Sequence, residues 1–475
     1  DSDSLTYSWA FSSVAAGSSL ANSDITSPNS ATPSFTPDVG GSYVLELTVS
    51  DGKGGSDIDT VIITVNTPTS VSGILSSPTT WSLSGSPYSV TGDVQIPSGV
   101  KLTIESGVVV QFEGAYEILV KGSVAVNGTE AQPVVFQSNT AGTSSGATIF
   151  MFKETNLSLS QLSHVKFQDA NRAIQVGEES EHSQAPIKNS GTLTVSNVEI
   201  TNSDVYTDGY TTTAKLVLEN AVLDDVTVKG TYPRSEPIEI KNATISNSTI
   251  FSDSYNYGIK IEDSTASNTY FRHGCCGSKL EFEDSVVTDS SVGGRSGEII
   301  IKNSKFLGSP VKINESYGSL TIENSVIEYT TEARNVGGEW TSENYTGEYG
   351  LSVNASPVDI TSTTIKGPGT GIGVDIRGYN TNINITDSVI TGTEKGVQID
   401  GTFSSGTITF SGNNFVGNSV YHIENISAKG ITATGNYWGS DDEGVIKSKI
   451  YDYLDDIEYG EVDYSGSLSA VNTAA

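Results

Sequence analysis

A short apolar pattern that recurs roughly every 20 to 25 residues between Leu193 and Trp438 constrains the fold of this chain more than any other feature. Each copy has two apolar residues at positions i and i+2, a small or polar residue at i+4 and, in most copies, another apolar residue at i+7. The copies are Leu193-Val195-Asn197-Ile200, Leu216-Leu218-Asn220-Leu223, Ile238-Ile240-Asn242-Ile245, Ile259-Ile261-Asp263, Leu280-Phe282-Asp284-Val287, Ile299-Ile301-Asn303-Phe306, Leu320-Ile322-Asn324-Ile327, Val358-Ile360-Ser362-Ile365, Ile383-Ile385-Asp387-Ile390, Ile408-Phe410-Gly412-Phe415 and Ile431-Ala433-Gly435-Trp438. A repeat of this length is typical of a solenoid in which each copy forms one coil.

The spacing within each copy indicates strands, because apolar residues alternate and are mostly β-branched Val and Ile. The Asn, Asp, Ser or Gly that follows is suited to a tight corner with left-handed backbone geometry. In stacked coils, equivalent Asn side chains lie about 4.8 Å apart, close enough to hydrogen-bond up the stack. The sequence therefore predicts a right-handed parallel β-helix whose corner Asn and Asp residues are structural and are not ligands.

Residues 1–67 have a different pattern, with short predicted strands at 5–11, 43–49 and 58–65 separated by turn-rich segments. The segments DSDSLTYSW at 1–9 and GSYVLELTVSDG at 41–52 resemble a polycystic-kidney-disease (PKD) or cadherin-like repeat of bacterial surface proteins. This resemblance implies an Ig-like β-sandwich.

The same resemblance implies that calcium is held by loop aspartates, which here are Asp1, Asp3 and Asp51, with Asp57 nearby. Carboxylates from separate loops suit Ca²⁺, which takes six to eight oxygen ligands. The alternative is that these aspartates only cap turns. Ca²⁺ is the one cofactor that the sequence suggests.

The N-terminal segment is short for a sandwich, which needs about seven strands. Three clear strands predict a domain that lacks its first strands. Either the domain is truncated there, or another chain supplies the missing strand by β-strand addition. Residues 466–475 lie beyond the predicted solenoid and are a candidate donor strand. Donation of this kind, repeated head to tail, would build a filament.

Residues 68–87 are rich in Ser, Thr and Pro and are predicted to form a linker. From Tyr88 through residue 136 the chain resembles the opening coils of right-handed parallel β-helix proteins, the pectate-lyase-like group that includes enzymes and non-enzymatic surface proteins. The solenoid is predicted to span residues 88–465, with the segment GNYWG at 435–439 near its end. A cap with a helix within 441–459 is expected to cover the last coil.

The formal net charge of −31 argues against a nucleic-acid partner. No apolar run is long enough to cross a bilayer as a helix. Acidity, abundant Ser, Thr, Asn and Gly, and only two cysteines are typical of a secreted or bacterial cell-surface protein. The two cysteines, Cys275 and Cys276, are adjacent, which is consistent with a vicinal disulfide, a reactive dithiol or a soft-metal site.

The loops between successive copies contain most of the tyrosines and nearly all arginines of the chain. Because each loop follows the same point of its coil, stacking is expected to bring these residues to one side of the rod. Aromatic rings suit sugars or apolar partner surfaces, and Arg pairs with carboxylate or sulfate. The predicted contact residues are Tyr206, Tyr210, Tyr255, Tyr257, Tyr270, Arg272, Arg295, Trp340, Tyr345, Tyr349, Arg377 and Tyr379.

This face is consistent with two functions. The favoured interpretation is a non-enzymatic extracellular structural or adhesive protein that contacts a polysaccharide or a cell-surface protein. The alternative is a calcium-assisted polysaccharide lyase or glycoside hydrolase, because enzymes of this fold use such a face. The best catalytic candidate is Arg272-His273 beside Arg295, whereas no pair of carboxylates can be assigned from the sequence.

Overall fold

A computed structural model of the chain describes residues 4–138, 147–177, 189–208, 213–231, 238–253, 258–274, 277–294, 297–314, 318–330, 348–354, 357–378, 382–403 and 405–475. Nearly all regular structure in these ranges is β-structure, arranged as an N-terminal antiparallel sheet and a parallel β-solenoid of about 14 turns. The predicted all-β fold, a sandwich-like sheet followed by a parallel β-helix, is confirmed. Within the described ranges, no helix is long and apolar enough to span a membrane.

The N-terminal sheet has three antiparallel strands, Thr6–Ser13, Gly41–Ser50 and Ser56–Val65, with the middle one paired to both others. Tyr43 and Leu45 of the middle strand are buried in a small separate core. A short 3₁₀ helix, Asn22–Asp24, lies in the connection between the first two strands. The carboxylate of Asp38 accepts hydrogen bonds from the Ser18 hydroxyl at 2.6 Å and the Ser19 N–H at 2.7 Å, which hold the pKa of Asp38 well below its usual range.

The solenoid has three faces of parallel strands, here named A, B and C in the order in which each coil visits them. Face A contains Thr79–Trp81, Lys101–Ile104, Ser123–Asn127, the first halves of Gln161–Gln168 and Ser190–Thr201, Thr213–Glu219, Ile238–Lys241, Gly258–Glu262, Lys279–Glu283, Glu298–Lys302, Ser319–Glu323, Val358–Thr361, Ile383–Thr386, Ile408–Ser411, Ile431–Thr432 and Val462–Asp463. Face B contains Val109–Phe112, Val134–Ser138, the second halves of Gln161–Gln168 and Ser190–Thr201, Val222–Asp224, Thr244–Ser246, Thr265–Ser267, Val286–Thr288, Lys305–Leu307, Val326–Glu328, Thr364–Lys366, Val389–Thr391 and Asn414–Val416. Face C contains Glu117–Val120, Thr148–Phe152, Arg172–Val176, Asp204–Asp208, Thr227–Thr231, Thr249–Asp253, Tyr270–His273, Ser291–Gly294, Val311–Asn314, Tyr349–Asn354, Ile372–Arg377, Lys395–Asp400, Tyr421–Asn425 and Ile450–Tyr451.

The A–B corner follows the predicted repeat in every copy. All eleven corner residues, from Asn197 to Gly435, have φ values between 47° and 70°, so the expected left-handed geometry is confirmed. Asn side chains also bond along the stack as predicted, with Asn220 Nδ2 donating to Asn197 Oδ1 at 3.2 Å. A second left-handed corner joins faces B and C and was not part of the repeat pattern. Its residues are Asp169, Asn202, Asp225, Asn247, Asn268 and Asp289, with φ values from 46° to 57°.

A buried ladder of hydroxyl groups runs beneath the A–B corner. The N–H of Ser285 donates to the hydroxyl of Ser304 at 3.0 Å, and the N–H of Ser304 donates to the hydroxyl of Ser325 at 3.1 Å. Each hydroxyl in turn donates to the carbonyl two residues earlier, as Ser304 does to Lys302 at 2.7 Å. The ladder satisfies backbone groups that the tight corner removes from the strand pairing, which would be costly to leave unpaired in the interior.

The segment predicted as a linker, residues 68–87, is instead the first coil of the solenoid. Its strands Thr69–Ile74 and Thr79–Trp81 pair in parallel with Tyr88–Ile96 and Lys101–Ile104, and a 3₁₀ helix, Leu83–Gly85, follows them. Trp81 is buried and stacks on Tyr88 with ring centroids 5.0 Å apart. Composition misled the prediction, because Ser, Thr and Pro suit a linker and a solenoid coil equally well.

The solenoid ends in a cap with a short α-helix, Glu443–Lys447, whose N-cap Asp442 accepts from the N–H of Val445 at 3.0 Å. The helix is shorter than predicted because Ile450 is drawn into a last strand that pairs with Ile423 on face C. Elsewhere in the described ranges a third 3₁₀ helix, Leu157–Leu159, precedes the strand Gln161–Gln168, which begins on face A.

The C-terminal tail packs against the chain's own solenoid. The N–H of Asn472 donates to Oδ1 of Asn414 at 2.8 Å, and its carbonyl accepts from Asn414 Nδ2 at 2.8 Å. The side-chain amide of Asn472 donates to Asp387 Oδ1 at 3.2 Å and to the carbonyl of Gly412. Asn472 thus supplies the ladder amide that Gly412 lacks. Donation of this tail to another chain stays a prediction.

Candidate functional site

Face C carries a row of side chains that alternate with core residues and therefore point away from the solenoid axis. The strand register aligns one such residue per coil over most of the rod. The row consists of Gln175, Tyr206, Lys229, Phe251, Arg272, Gly293, Lys312, Ser352, Asp375, Gln398, Glu424 and Tyr451. The row thus divides into a cationic and aromatic half and a half with two carboxylates.

In the first half, cations and aromatic rings alternate from coil to coil. The guanidinium of Arg172 lies 4.4 Å from the ring centroid of Tyr206, and the amine of Lys229 lies 5.5 Å from the same ring. Lys229 is also 6.0 Å from the ring of Phe251, over which Arg272 lies at 4.9 Å. We name these five residues the cation–aromatic row. Such contacts contribute about 0.5 to 1 kcal/mol each at exposed sites and hold the charged groups in fixed positions.

A cleft of about 380 Å³ lies beside this row at the B–C corner. We name it the B–C cleft. It is lined by Ala170, Asn171, Arg172, Asn202, Ser203, Asp204, Tyr206, Asp225, Val226, Thr227, Asn247 and Thr249. A neighbouring cleft of about 390 Å³ shares Asn247 and includes Tyr270, so a groove continues along the corner over several coils.

Two carboxylates of different environment line the B–C cleft. Asp204 is half-buried, and its Oδ1 accepts the N–H of Thr227 from the next coil at 2.9 Å. Burial raises the pKa of Asp204, although the hydrogen bond from Thr227 and the charge of Arg172 oppose this effect. Asp225 is exposed and sits on the corner itself, at φ 55°. The cleft therefore combines carboxylates with a guanidinium, a phenol and amide groups.

In the other half of the row, each carboxylate is held by a cation. Asp375 has no exposed side-chain surface and lies 3.0 Å from Nε of Arg377, whose side chain is 54% exposed. Burial raises the pKa of Asp375, and the charge of Arg377 opposes this rise. Glu424 accepts from the amine of Lys395 at 2.6 Å and from the amide of Gln398. These pairs fix the orientation of Arg377 and Lys395 on face C.

The structure places five of the twelve predicted contact residues. Tyr206, Tyr270, Arg272, Tyr349 and Arg377 all lie on strands of face C. Tyr206 and Tyr270 line the two clefts, and burial raises the pKa of Tyr270. Tyr349 is only 9% exposed, which leaves little of its ring for a partner. The other seven lie outside the described residues, namely Tyr210, Tyr255, Tyr257, Arg295, Trp340, Tyr345 and Tyr379.

The predicted catalytic pair Arg272-His273 does not form a site in the described residues. His273 faces the core with 0% of its surface exposed, and neither ring nitrogen has a partner of hydrogen-bond geometry. Burial lowers the pKa of His273 to about 4, with a backbone contact from Gly274 opposing this shift. Only Arg272 of the pair reaches the outer face. Cys275 and Cys276 lie outside the described residues, as Arg295 does.

The predicted calcium ligands are only partly described. Oδ1 of Asp51 accepts the N–H groups of Lys53 at 2.8 Å and Gly55 at 2.9 Å, and these bonds lower the pKa of Asp51. Asp57 accepts the N–H of Ile58 at 3.0 Å. Both therefore cap backbone groups, and no group of three metal-binding side chains exists in the described ranges. Asp1 and Asp3 lie outside those ranges, so the calcium site stays a prediction.

Sequence reasoning missed most of the cleft. The predicted contact residues do not include Asp204, Asp225, Arg172, Lys229 or Phe251. The available signal was the second Asn and Asp corner, at Asn202, Asp225 and Asn247. It marks where each face C strand begins.

Two family models match the chain. A family of PKD domains matches residues 1–65, and a family described as "Pectate-lyase like beta helix domain" matches residues 73–152. The protein therefore has a PKD domain at its N-terminus followed by a pectate-lyase-like β-helix domain. No curated protein matches the chain.

Two solved structures show distant likeness. A mannuronic acid specific polysaccharide family 6 lyase from human gut microbiota is 12% identical, with 78% of this chain and 87% of that chain covered and a TM-score of 0.28. The A-module of the mannuronan C-5 epimerase AlgE6 of Azotobacter vinelandii is 13% identical, with 85% and 91% covered and a TM-score of 0.23.

One functional expectation is corrected by these comparisons. The favoured interpretation of the sequence is a protein without enzymatic activity. The match of residues 73–152 to a pectate-lyase-like domain contradicts that expectation. The tyrosine and arginine content of the loops suits a substrate groove as well as an adhesive surface.

Proposed function

We propose that this protein acts on an extracellular polysaccharide whose sugars carry acidic groups, and that it binds this chain along face C and the B–C groove. The observation that carries the proposal is the cation–aromatic row, in which Arg172, Tyr206, Lys229, Phe251 and Arg272 follow one another on successive coils. Aromatic faces suit the C–H surfaces of sugar rings, and guanidinium and ammonium groups pair with carboxylate or sulfate.

The geometry of the row supports an elongated ligand over a compact one. Coils are spaced by about 4.8 Å, so the row presents a regular series of contact groups parallel to the solenoid axis. The two connected clefts at the B–C corner extend in the same direction. The pectate-lyase-like domain match supports a reaction in addition to binding.

The experiment is a panel of acidic and neutral polysaccharides, with binding measured by calorimetry and cleavage by the release of reducing ends. We expect binding and cleavage of an acidic member. Tyr206→Ala combined with Arg272→Ala is expected to weaken binding at least tenfold, equivalent to about 1.4 kcal/mol.

The matched control is Lys302→Ala on face A, where Lys302 lies 3.6 Å from Glu323. This variant removes a positive charge from a different face of the solenoid and is expected to bind as the wild type does. Equal weakening by both variants, or undiminished binding by the double variant, would contradict the proposal.

A further inference from the structure

Asp204 and Asp225 reach the B–C cleft from neighbouring coils. Asp204 begins a face C strand and bonds to the N–H of Thr227 in the next coil at 2.9 Å, and Asp225 lies two residues before Thr227. With strands about 4.8 Å apart and a rise of about 3.3 Å per residue, their Cα atoms are at most roughly 8 Å apart. In glycosidases that use one carboxyl group as acid and another as base for water, the two carboxyl groups are about 6.5 to 9.5 Å apart, a separation that side chains on Cα atoms this close can span.

The two carboxylates differ in solvent access. Asp204 is half-buried beside the ring of Tyr206 and the core residue Val205, and its burial favours the protonated form. Asp225 is exposed at the corner, where water has free access. A half-buried carboxyl group and a solvent-exposed one in the same cleft are suited to opposite roles, the first as a proton donor and the second next to the attacking water.

The remaining cleft residues complete a sugar site. Arg172 offers a guanidinium to an acidic substituent, and Tyr206 offers a ring face. The corner amides hold the cleft wall, because Asn202 Nδ2 donates to Asp169 at 2.9 Å and Asn247 Nδ2 donates to Asp224 at 2.7 Å. Nη1 of Arg172 donates to Oε1 of Gln175, and its guanidinium lies 4.4 Å from the ring centroid of Tyr206. These contacts position a guanidinium and a phenol ring in the wall of the cleft.

We propose that Asp204 and Asp225 are the general acid and the general base of a glycoside hydrolase site in the B–C cleft. This inference rests on the proposed function, because it assigns the chemistry of the same face. It distinguishes hydrolysis from the β-elimination that the lyase alternative requires.

In this reaction the carboxyl proton of Asp204 passes to the glycosidic oxygen as the bond between that oxygen and C1 breaks. A water oxygen forms a new bond to C1, and the proton that the water loses passes to the carboxylate of Asp225. The products are a free sugar alcohol group and a new reducing end, and exchange with solvent restores both carboxyl groups.

The test digests the acidic polysaccharide that the wild-type protein cleaves, in water enriched in heavy oxygen, and examines the products by mass spectrometry and ultraviolet absorbance. Hydrolysis puts heavy oxygen at each new reducing end. Elimination itself puts none there and instead creates an absorbing carbon–carbon double bond, so the products are sampled before the reducing ends exchange oxygen with the water. We expect heavy oxygen and no new absorbance.

The variants are Asp204→Asn and Asp225→Asn, and each is expected to lower activity by about 10²-fold or more. Asn keeps the hydrogen-bond acceptor that Thr227 needs, and Asn occupies the same corner at Asn202 and Asn247 with φ 47° and 51°. The control is Asp284→Asn at the A–B corner, φ 50°, which is expected to leave activity unchanged. Equal melting temperatures of all variants would exclude a folding effect.

Full activity in either cleft variant overturns the assignment, as do unsaturated products without heavy oxygen, and both results leave the proposed function standing. Binding without any cleavage by the wild-type protein overturns both the acid–base pair and the enzymatic part of the proposed function. Failure to bind any acidic polysaccharide overturns the proposed function as a whole.

Discussion

His273 and His422 are two ionisable side chains that the solenoid keeps largely out of water. Burial lowers the pKa of each from 6.5 to about 4. His422 retains a contact between Nδ1 and the amide of Asn418 at 3.0 Å, and the charge of Lys449 adds to its shift. His273 lacks such a partner in the described ranges, so its ring is a polar group enclosed by Gly294 and Gly297. Its main effect is on stability at acidic pH.

Replacing His273 by Leu is expected to reduce the loss of stability in acid. The folded-state pKa lies below the unfolded value, so the unfolded chain binds the extra proton as pH falls from about 6.5 to about 4. At about pH 5, the buried ring lowers the free energy of unfolding of the wild-type protein by on the order of 2 kcal/mol, and Leu removes this loss. Urea unfolding at neutral pH and at this acidic pH measures the difference, and an identical pH dependence in both proteins would contradict it.

At the scale of elements, the hydroxyl ladder explains why Ser follows so many A–B corners. The corner residues donate their N–H groups to backbone carbonyls of the next coil, as Asn303 does to Glu323. The N–H of the residue after each corner instead bonds to a Ser hydroxyl of the next coil at Ser264, Ser285 and Ser304. The outer side of face A is held by a second network. There Lys260 lies 2.6 Å from Glu283, and Lys215 lies 2.6 Å from Glu239. Buried hydroxyls are the stronger determinant, because half-exposed ion pairs contribute little.

Ser304→Ala is expected to lower the free energy of unfolding by about 1 to 3 kcal/mol, since it leaves the buried N–H of Ser285 without its acceptor. Ser267→Ala, at an exposed position of face B, is the control and is expected to change it by less than about 0.5 kcal/mol. Thermal unfolding followed by circular dichroism compares the two. Equal stability of both variants would show that the ladder does not contribute.

The same elements show how much of the fold could be predicted from the sequence. Faces A and B could be predicted because one repeat contains both, with the corner residue between them. Face C could not be predicted in the same way. The segments that connect each face C strand to the next face A strand vary in length, so the face C strands do not recur at a fixed spacing in the sequence. Asp204 and Asp225 are 21 positions apart in the sequence. They line the same cleft only because neighbouring coils stack in register. Residues 68–87 likewise can be identified as the first coil only from their strand pairing, because their composition alone indicates a linker.

In the whole molecule, the charged side chains are distributed unevenly among the faces of the solenoid. The chain has a formal net charge of −31, and yet face C carries Arg172, Lys229, Arg272 and Lys312, one on every second coil. On face A, lysines alternate with glutamates that offset them. We therefore expect an anionic ligand to be attracted to face C more than to face A. Because this attraction is electrostatic, it weakens as salt is raised.

The central claim is that an acidic polysaccharide lies along face C at the B–C cleft. The most direct test is a crystal structure of the Asp204→Asn variant with an oligosaccharide of the polymer that the wild-type protein cleaves. The account predicts sugar rings that follow the solenoid axis, with one ring against Tyr206, an acidic group at Arg172 and a glycosidic oxygen at residue 204. Sugar bound at face A, at the A–B corner or on the N-terminal sheet, with the B–C cleft empty, would contradict it.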